Sequence, residues 1–268
     1  MLGVIDNMNL PKILFFDFDN TLVDNKTHQI PESALKALNQ VVENGYKIAI
    51  ASGRSYPLLK LTGACDLLPW SGYCLNNGQV VMNGKEEFIH HHTLPHEKIL
   101  ETIEIANKLG FNLFFSSLGN DFLLKEPNEY VYEAHHFFNE PIPKIDVYTN
   151  QPIDKILVYA PKGYDYAPFK AIEGLSTFIS VSTYADLATT GISKHSAILE
   201  LCSALDLPTE YAAFGDSQND MEMLKGAQIS VAMGNADPKL KEIAQYVTDD
   251  VDKDGIYNIL VKLGYIKN

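Results

Sequence analysis

Cysteine is scarce in this 268-residue chain, and the three present, Cys65, Cys74 and Cys202, form no CxxC pair and match no zinc-type histidine spacing. Neither a disulfide framework nor a zinc site is indicated, and all three read as small buried residues of a reducing compartment. Arginine is scarcer still. Arg54 is the only one, the other 20 basic residues being lysines, so the chain keeps a single group suited to bidentate capture of phosphate or carboxylate. Blocks of basic residues are absent, and 21 Lys and Arg against 34 Asp and Glu leave a formal charge of -13. That balance argues against a protein that grips nucleic acid or acidic lipid through its general field. Uncharged apolar runs are short, residues 13–16 stopping at Asp17, far below the roughly 20 residues of a membrane helix. No export signal opens the chain, and a cytoplasmic protein is expected. Repeats and low-complexity segments are missing too. With 46% hydrophobic and 21% charged residues the composition is that of a packed globular protein.

Residues 12–17 form a continuous apolar run ending in a carboxylate, the pattern of a buried parallel strand with a ligand-binding residue at its C-terminal end. A helix over 31–45 and a second strand over 46–51, ending in Ser52-Gly53-Arg54, complete a βαβ unit. From Tyr73 the pattern changes. Asn77-Gly78 and Asn83-Gly84 are hairpin signals, followed by a helix over 95–109, strands over 111–116, 122–125 and 155–159, a helix over 166–175 and a strand over 178–184. After Gly191 the first style returns: a helix over 193–205, a strand over 211–214, a short helix over 220–224 and a strand over 229–232. The expected fold is α/β: a doubly wound, Rossmann-like parallel-sheet core from residues 1–82 and 188–268, with an α+β domain inserted over 83–187.

Two acidic clusters follow buried strands. Asp17-Phe-Asp19-Asn-Thr21 places two carboxylates at a strand end, where a bend after Asp17 lets one attack while the other reaches a leaving group. In Gly215-Asp216-Ser-Gln-Asn219-Asp220, Asp216 ends a strand and Asp220 enters a helix one turn later, so both can converge on one hard cation with oxygen ligands. Helix capping accounts for one acidic residue there, not for two with a second pair standing at another strand end. Ser52, Gly53 and Arg54 offer a hydroxyl, exposed N–H groups and a guanidinium to phosphate oxygens. Taken alone they are an ordinary turn, as Lys194 alone is a surface lysine.

Together, in chain order, these segments resemble the four motifs of the haloacid dehalogenase (HAD) superfamily: DFDNT, Ser52, Lys194 and GDSQND. The likeness extends to the Cof-type subgroup, subfamily IIB, through Leu75-Asn76-Asn77-Gly78, Gly191-Ile-Ser-Lys194, GDSQNDMEML over 215–224, and Asp254-Gly255-Ile256. An insertion of this size after the third core strand is similar to the large C2-type cap of that subgroup. Two positions depart from the subgroup. Asn20 replaces a glycine but tolerates the same left-handed conformation, and His195, in place of a glycine after Lys194, is expected to add bulk beside the site.

The resemblance implies a phosphatase. Asp17 would form an aspartyl phosphate, and Asp19 would protonate the leaving alkoxide and then activate water. Mg²⁺ would be held by Asp17, Asp216 and the main-chain carbonyl of Asp19, with Asp220 assisting. Lys194 and Ser52 would neutralise and orient the phosphoryl oxygens, with Gly53, Arg54, Asn77 and Asn219 as further phosphate or substrate contacts. The substrate class is a small phosphate ester: a sugar phosphate, nucleotide or cofactor phosphate. A phosphomutase would use the same nucleophile and return the phosphoryl group to a sugar, and a non-catalytic binder would have lost a carboxylate or the lysine. None is lost. Six of eight histidines fall in the insertion. His90, His91 and His92 are consecutive, and neighbours on a strand face opposite ways and cannot all reach one ion, so an exposed strand is expected. His135 and His136, amid aromatic residues, read as packing or rim of the insertion.

Overall fold

All four residues of β1 (Ile13–Phe16) are at most 1% exposed, as a continuous Ile-Leu-Phe-Phe run requires of a strand covered on both faces. The computed structural model describes residues 10–118 and 120–267. After β1, α1 (Glu32–Glu43) buries Ala34, Ala37, Leu38 and Val41 along one stripe and leads to β2 (Lys47–Ala51), parallel to β1. Helix α2 (Tyr56–Leu61) precedes β3 (Gly72–Leu75), which lies parallel to β2. The chain then folds back in antiparallel β4 (Val80–Asn83) and β5 (Phe88–His91), with the two turns at the Asn-Gly signals.

The inserted part comprises α3 (His96–Leu109), β6 (Asn112–Ser116), β7 (Phe122–Leu123), α4 (Glu129–Phe137), β8 (Lys144–Ile145), β9 (Lys155–Tyr159), α5 (Ala167–Lys170), β10 (Leu175–Ile179) and β11 (Tyr184–Thr189). Among the described residues its six strands form one sheet in the order β10-β11-β9-β6-β7-β8. Alternation along β6 and β9 divides its two apolar faces. Phe115, Ile156 and Val158 pack with Ile99 and Phe169, whereas Phe114, Leu157 and Tyr159 pack with Val131 and Ala134 of α4.

The return to the first sheet runs through α6 (Lys194–Ala204), β12 (Ala212–Gly215), α7 (Met221–Gly226), β13 (Ile229–Ala232), α8 (Pro238–Ile243), β14 (Tyr246–Val247) and α9 (Gly255–Leu263). Among the described residues this sheet has eight strands in the order β14-β13-β12-β1-β2-β3-β4-β5. From β1 the chain builds outward through β2 and β3, and later on the other side through β12, β13 and β14. The gap between β1 and β12 is therefore the switch point at which open α/β sheets bind ligands. One apolar cluster joins this sheet to α1, α6, α7, α8 and α9.

The structure departs from the sequence reading in three places. Residues 88–91, counted with the insertion, pair with β4 in the larger sheet, so the crossing into the smaller sheet comes after His92. Residues 178–184, read as one strand, hold the end of β10, the turn at 180–183 and the start of β11, a hairpin that carries the smaller sheet on to Thr189. Helix α4 forms where Tyr130, Val131, Tyr132 and the paired histidines give no helical signal. It is capped by the Asn128 side chain, which accepts from the Val131 N–H at 3.2 Å, and is held by Val131 and Ala134 buried on the smaller sheet.

Candidate active site

The C-terminal ends of β12, β1, β2 and β3 bring together the residues singled out in the sequence. Asp17 continues β1 by one ladder bond, its N–H donating to the Phe214 carbonyl at 2.9 Å, and the residue is 5% exposed. Lys194 opens α6 with its side chain wholly buried and donates to Asp17 Oδ1 at 2.6 Å and Asp220 Oδ1 at 2.7 Å. A lysine at a helix N-terminus opposes the helix dipole; two buried carboxylates compensate it here. Burial alone would lower the Lys194 amine, but Asp17 and Asp220 outweigh it and hold its pKa above the ordinary lysine value. The helix start is fixed by a reciprocal pair, Ser193 Oγ accepting from the Ser196 N–H at 3.3 Å while Ser196 Oγ accepts from the Ser193 N–H at 3.0 Å.

Asp220 is fully buried, and its second oxygen accepts from the N–H groups of Asp216 and Ser217 at 3.0 and 3.1 Å. Gly215 makes this possible, since a Cβ there would stand 2.6 Å from Asp220 Cγ. Asp17, Asp216 and Asp220 each bring one carboxylate oxygen within 4.8 Å of the others. Burial pushes Asp17 up to about 7, with Lys194 opposing and Asp220 and Asp19 adding to the rise. Asp216 is raised well above the carboxylate range by burial and then by Asp17 and Asp220.

The second aspartate of the first cluster meets the only arginine. Arg54 Nε and Nη2 donate to Asp19 Oδ2 and Oδ1, both at 2.8 Å, and Nη1 lies 3.0 Å from Glu140 Oε1 of the inserted part. Nη2 also reaches the Phe138 carbonyl at 3.3 Å. Arg54, expected from the sequence as a phosphate or substrate contact, lines the cavity and bridges two carboxylates, one from each sheet's part of the chain. Burial lifts Glu140 to about 7 against the pull of Arg54. Nothing local marks Glu140: it sits in an Asn-Glu-Pro stretch after the aromatic segment, and only the fold brings it to Arg54.

Ser52 is buried and its Oγ accepts from the Arg54 N–H at 3.1 Å. The Gly53 carbonyl accepts from Lys155 Nζ at 2.6 Å, and Lys155 also pairs with Asp186 at 3.0 Å. Asn77 donates to Asp186 Oδ2 at 3.1 Å and accepts from Asn219 Nδ2 at 3.0 Å, so two of the expected substrate contacts are joined to each other. Gly78, at φ +101°, lies against the start of α6, where a Cβ would stand 2.2 Å from the Ser193 carbonyl oxygen. Between the two parts of the chain lies a cavity of about 620 Å³. The core side contributes Asp17, Asp19, Asp216 and Asn219; the facing wall is Phe114, Phe138, Leu157 and Tyr184 with His135, Glu140, Lys155 and Asp186. Burial lowers His135 to about 4, keeping it neutral, and its Nε2 lies 2.8 Å from the Tyr159 hydroxyl. None of these wall residues carried a motif.

Asn20 adopts φ +58°, the left-handed conformation expected of it. His195 does not stand beside the site. Its Nδ1 lies 2.7 Å from the Tyr211 hydroxyl and its ring packs on Gly226, where a Cβ would be 2.3 Å from Cε1, so it fills the space between α6 and α7.

The family model described as haloacid dehalogenase-like hydrolase matches residues 14–260. The chain is 31% identical over 266 residues to YkrA of Bacillus subtilis (strain 168), covering 96% of this chain and 99% of YkrA. It is 25% identical over 247 residues to the 5-amino-6-(5-phospho-D-ribitylamino)uracil phosphatase YcsE of the same organism, covering 91% and 92%. The solved structure of the HAD subclass IIB sugar phosphatase BT4131 superposes with a TM-score of 0.87 at 30% identity, covering 95% of this chain and 100% of that one. Among the described residues no helix is long and apolar enough to cross a membrane.

Proposed function

The chain belongs to the haloacid dehalogenase-like hydrolases and is a phosphatase of small phosphate substrates, and from that premise we propose that Asp17 carries the phosphoryl group as an aspartyl phosphate, with Mg²⁺ as cofactor. The observation that carries this reading is the buried Lys194 ammonium, 2.6 Å from Asp17 and 2.7 Å from Asp220. It holds the Asp17 carboxylate beside the cavity and supplies positive charge where phosphoryl oxygens would gather.

An Asp17 oxygen attacks phosphorus in line, and the bond from phosphorus to the ester oxygen breaks. Asp19 protonates that oxygen as it leaves, then takes a proton from the water that attacks the aspartyl phosphate, returning inorganic phosphate and free Asp17. Arg54 orients the Asp19 carboxylate for both steps through two parallel bonds. The Ser52 hydroxyl and the Gly53 N–H are the phosphate contacts on the β2 side, and Asn77 and Asn219 brace that loop.

The donor set among Asp17, Asp216 and Asp220 is all oxygen, which suits a hard ion, and the raised Asp17 and Asp216 are crowded carboxyls that a cation would relieve. Those two carboxylates and the main-chain carbonyl of Asp19 would hold it, with Asp220 beside them. When bound, Mg²⁺ supplies charge neutralisation to the carboxylates and the phosphoryl oxygens.

A cavity of about 620 Å³, whose wall facing the Asp17 cluster combines rings with Glu140, Lys155 and Asp186, fits a compact ester whose leaving group carries hydroxyls. The names of BT4131 and YcsE, a sugar phosphatase and a phosphoribitylamino-uracil phosphatase, agree with that class. The test is acid quenching during turnover of a sugar phosphate, followed by peptide mass spectrometry. A phosphoryl adduct on the peptide holding Asp17, absent in Asp17→Asn along with turnover, is expected. Full turnover by freshly prepared Asp17→Asn, with deamidation excluded by mass, would overturn the mechanism.

A further inference from the structure

Away from the cavity, two of the three consecutive histidines meet a carboxylate from a distant part of the chain. His90 lies in β5 and His92 just beyond it. Two apart on extended chain, they share a face, their rings 5.8 Å apart between centroids and 16° from parallel. His91 turns the other way, to Asp154 of the inserted part. Glu200 comes up from α6 to the histidine pair: His92 Nε2 lies 3.0 and 3.2 Å from its two oxygens, and His90 Nδ1 lies 3.8 Å from Oε2. One donor atom from each of the three side chains lies within 4.8 Å of the other two.

We propose that His90, His92 and Glu200 form a second metal site, separate from the Asp17 cluster and built for a divalent transition ion such as Zn²⁺. Two imidazole nitrogens and one carboxylate oxygen make a borderline donor set that selects zinc-like ions, whereas the all-oxygen set around Asp17 selects a hard ion. Bonds of about 2.0–2.1 Å place the donors of a tetrahedral ion roughly 3.3–3.4 Å apart. Measured to the shared Glu200 Oε2, His92 Nε2 lies at 3.2 Å and His90 Nδ1 at 3.8 Å, with the three donors within 4.8 Å of one another, close enough for rotation of these partly exposed side chains to bring them to that spacing. Side-chain exposures of 49%, 30% and 24% for His90, His92 and Glu200 give the ion a path in and leave room for water as the remaining ligand.

The location gives such an ion a mechanical effect. His92 is where the chain leaves the larger sheet for α3, its N–H donating to the Gln79 carbonyl at 2.7 Å. Glu200 belongs to the helix that begins at Lys194. An ion here fastens the entry to the inserted part to the helix that carries the active-site lysine.

The experiment is Zn²⁺ binding by equilibrium dialysis on the full chain, with Mg²⁺ in large excess to occupy the carboxylate cluster, and Co²⁺ absorption as a spectroscopic probe. One equivalent of Zn²⁺ and visible Co²⁺ d–d bands are expected for the native chain and for Asp216→Asn. Affinity should fall more than tenfold, with loss of the bands, in His90→Gln/His92→Gln and separately in Glu200→Gln. All three positions are partly exposed, so circular dichroism should report an unchanged fold, and the Glu200 variant tests the site independently of the histidine pair. Native-like Zn²⁺ binding or Co²⁺ bands in either variant would overturn the proposal, as would a native chain with no equivalent beyond what Asp216→Asn removes.

Discussion

Proton and metal compete for the carboxylates beneath the cavity, and the competition has a calculable size. Burial holds the Asp17 carboxyl at about 7, against 3.8 for the exposed group, a difference equivalent to about 4 kcal/mol. Because the folded state binds this proton more tightly than the unfolded chain does, the stabilisation is fully present below about pH 4 and is lost as pH rises through about 7. A cation that displaces the Asp17 proton should therefore bind with full affinity near pH 8 and about 100-fold more weakly near pH 5, since each pH unit below 7 costs about tenfold. At a Mg²⁺ concentration about 100 times its dissociation constant near pH 8, the stabilisation is about 2.7 kcal/mol, and at the same concentration near pH 5 it falls to about 0.4 kcal/mol. Asp216, raised in the same direction, makes the fall steeper. The assay is the thermal midpoint with Mg²⁺ minus that with a chelator, followed across this pH range. Glu140, raised to about 7, and His135, lowered to about 4, titrate with and without the metal and drop out of the difference. A Mg²⁺-dependent shift of equal size at both ends of the range would refute the reasoning.

Asp19→Asn should slow an alkyl phosphate at least about tenfold more than an aryl phosphate, whose leaving group needs little protonation; equal losses in kcat/KM on the two esters would remove Asp19 from the acid role. Gly78→Ala should destabilise the chain by about 3 kcal/mol or more in denaturant unfolding, because its Cβ would meet the Ser193 carbonyl at 2.2 Å on a backbone at φ +101°. A loss under about 1 kcal/mol would mean that the start of α6 can retreat from the loop.

The parts of the site legible in the sequence are those fixed by short-range chemistry. Asp17, Asp19, Ser52, Lys194, Asp216 and Asp220 each stand next to an apolar strand or a capped helix start, so periodicity places each at the end of an element, and the resemblance to the four HAD motifs is what joins them in one site. The Arg54 to Glu140 pair spans 86 positions, with one partner in a segment that has neither motif nor period, and no local signal could join them. The same reason hides Lys155, which the sequence marks only as the start of a strand, and Asp186, which lies beyond the strand read over 178–184. Helix α4 was illegible because Tyr130, Val131 and Tyr132 favour strand locally, and burial of Val131 and Ala134 on the smaller sheet decides against them. His195 was misplaced because sequence adjacency to Lys194 says nothing of direction: consecutive residues on a helix point about 100° apart, one into the site and the next onto Gly226.

A chain with one arginine has one address for arginine-directed dicarbonyl reagents. Here that address is 8% exposed and closed in by Asp19 on one side and Glu140 on the other. Loss of the Glu140 contact is expected to speed its reaction, so the single mass increment should accumulate fastest in molecules whose two parts have separated at that contact. The rate at which that increment accumulates is then a clock for opening that needs no engineered label, and a ligand that holds the two parts together should slow it.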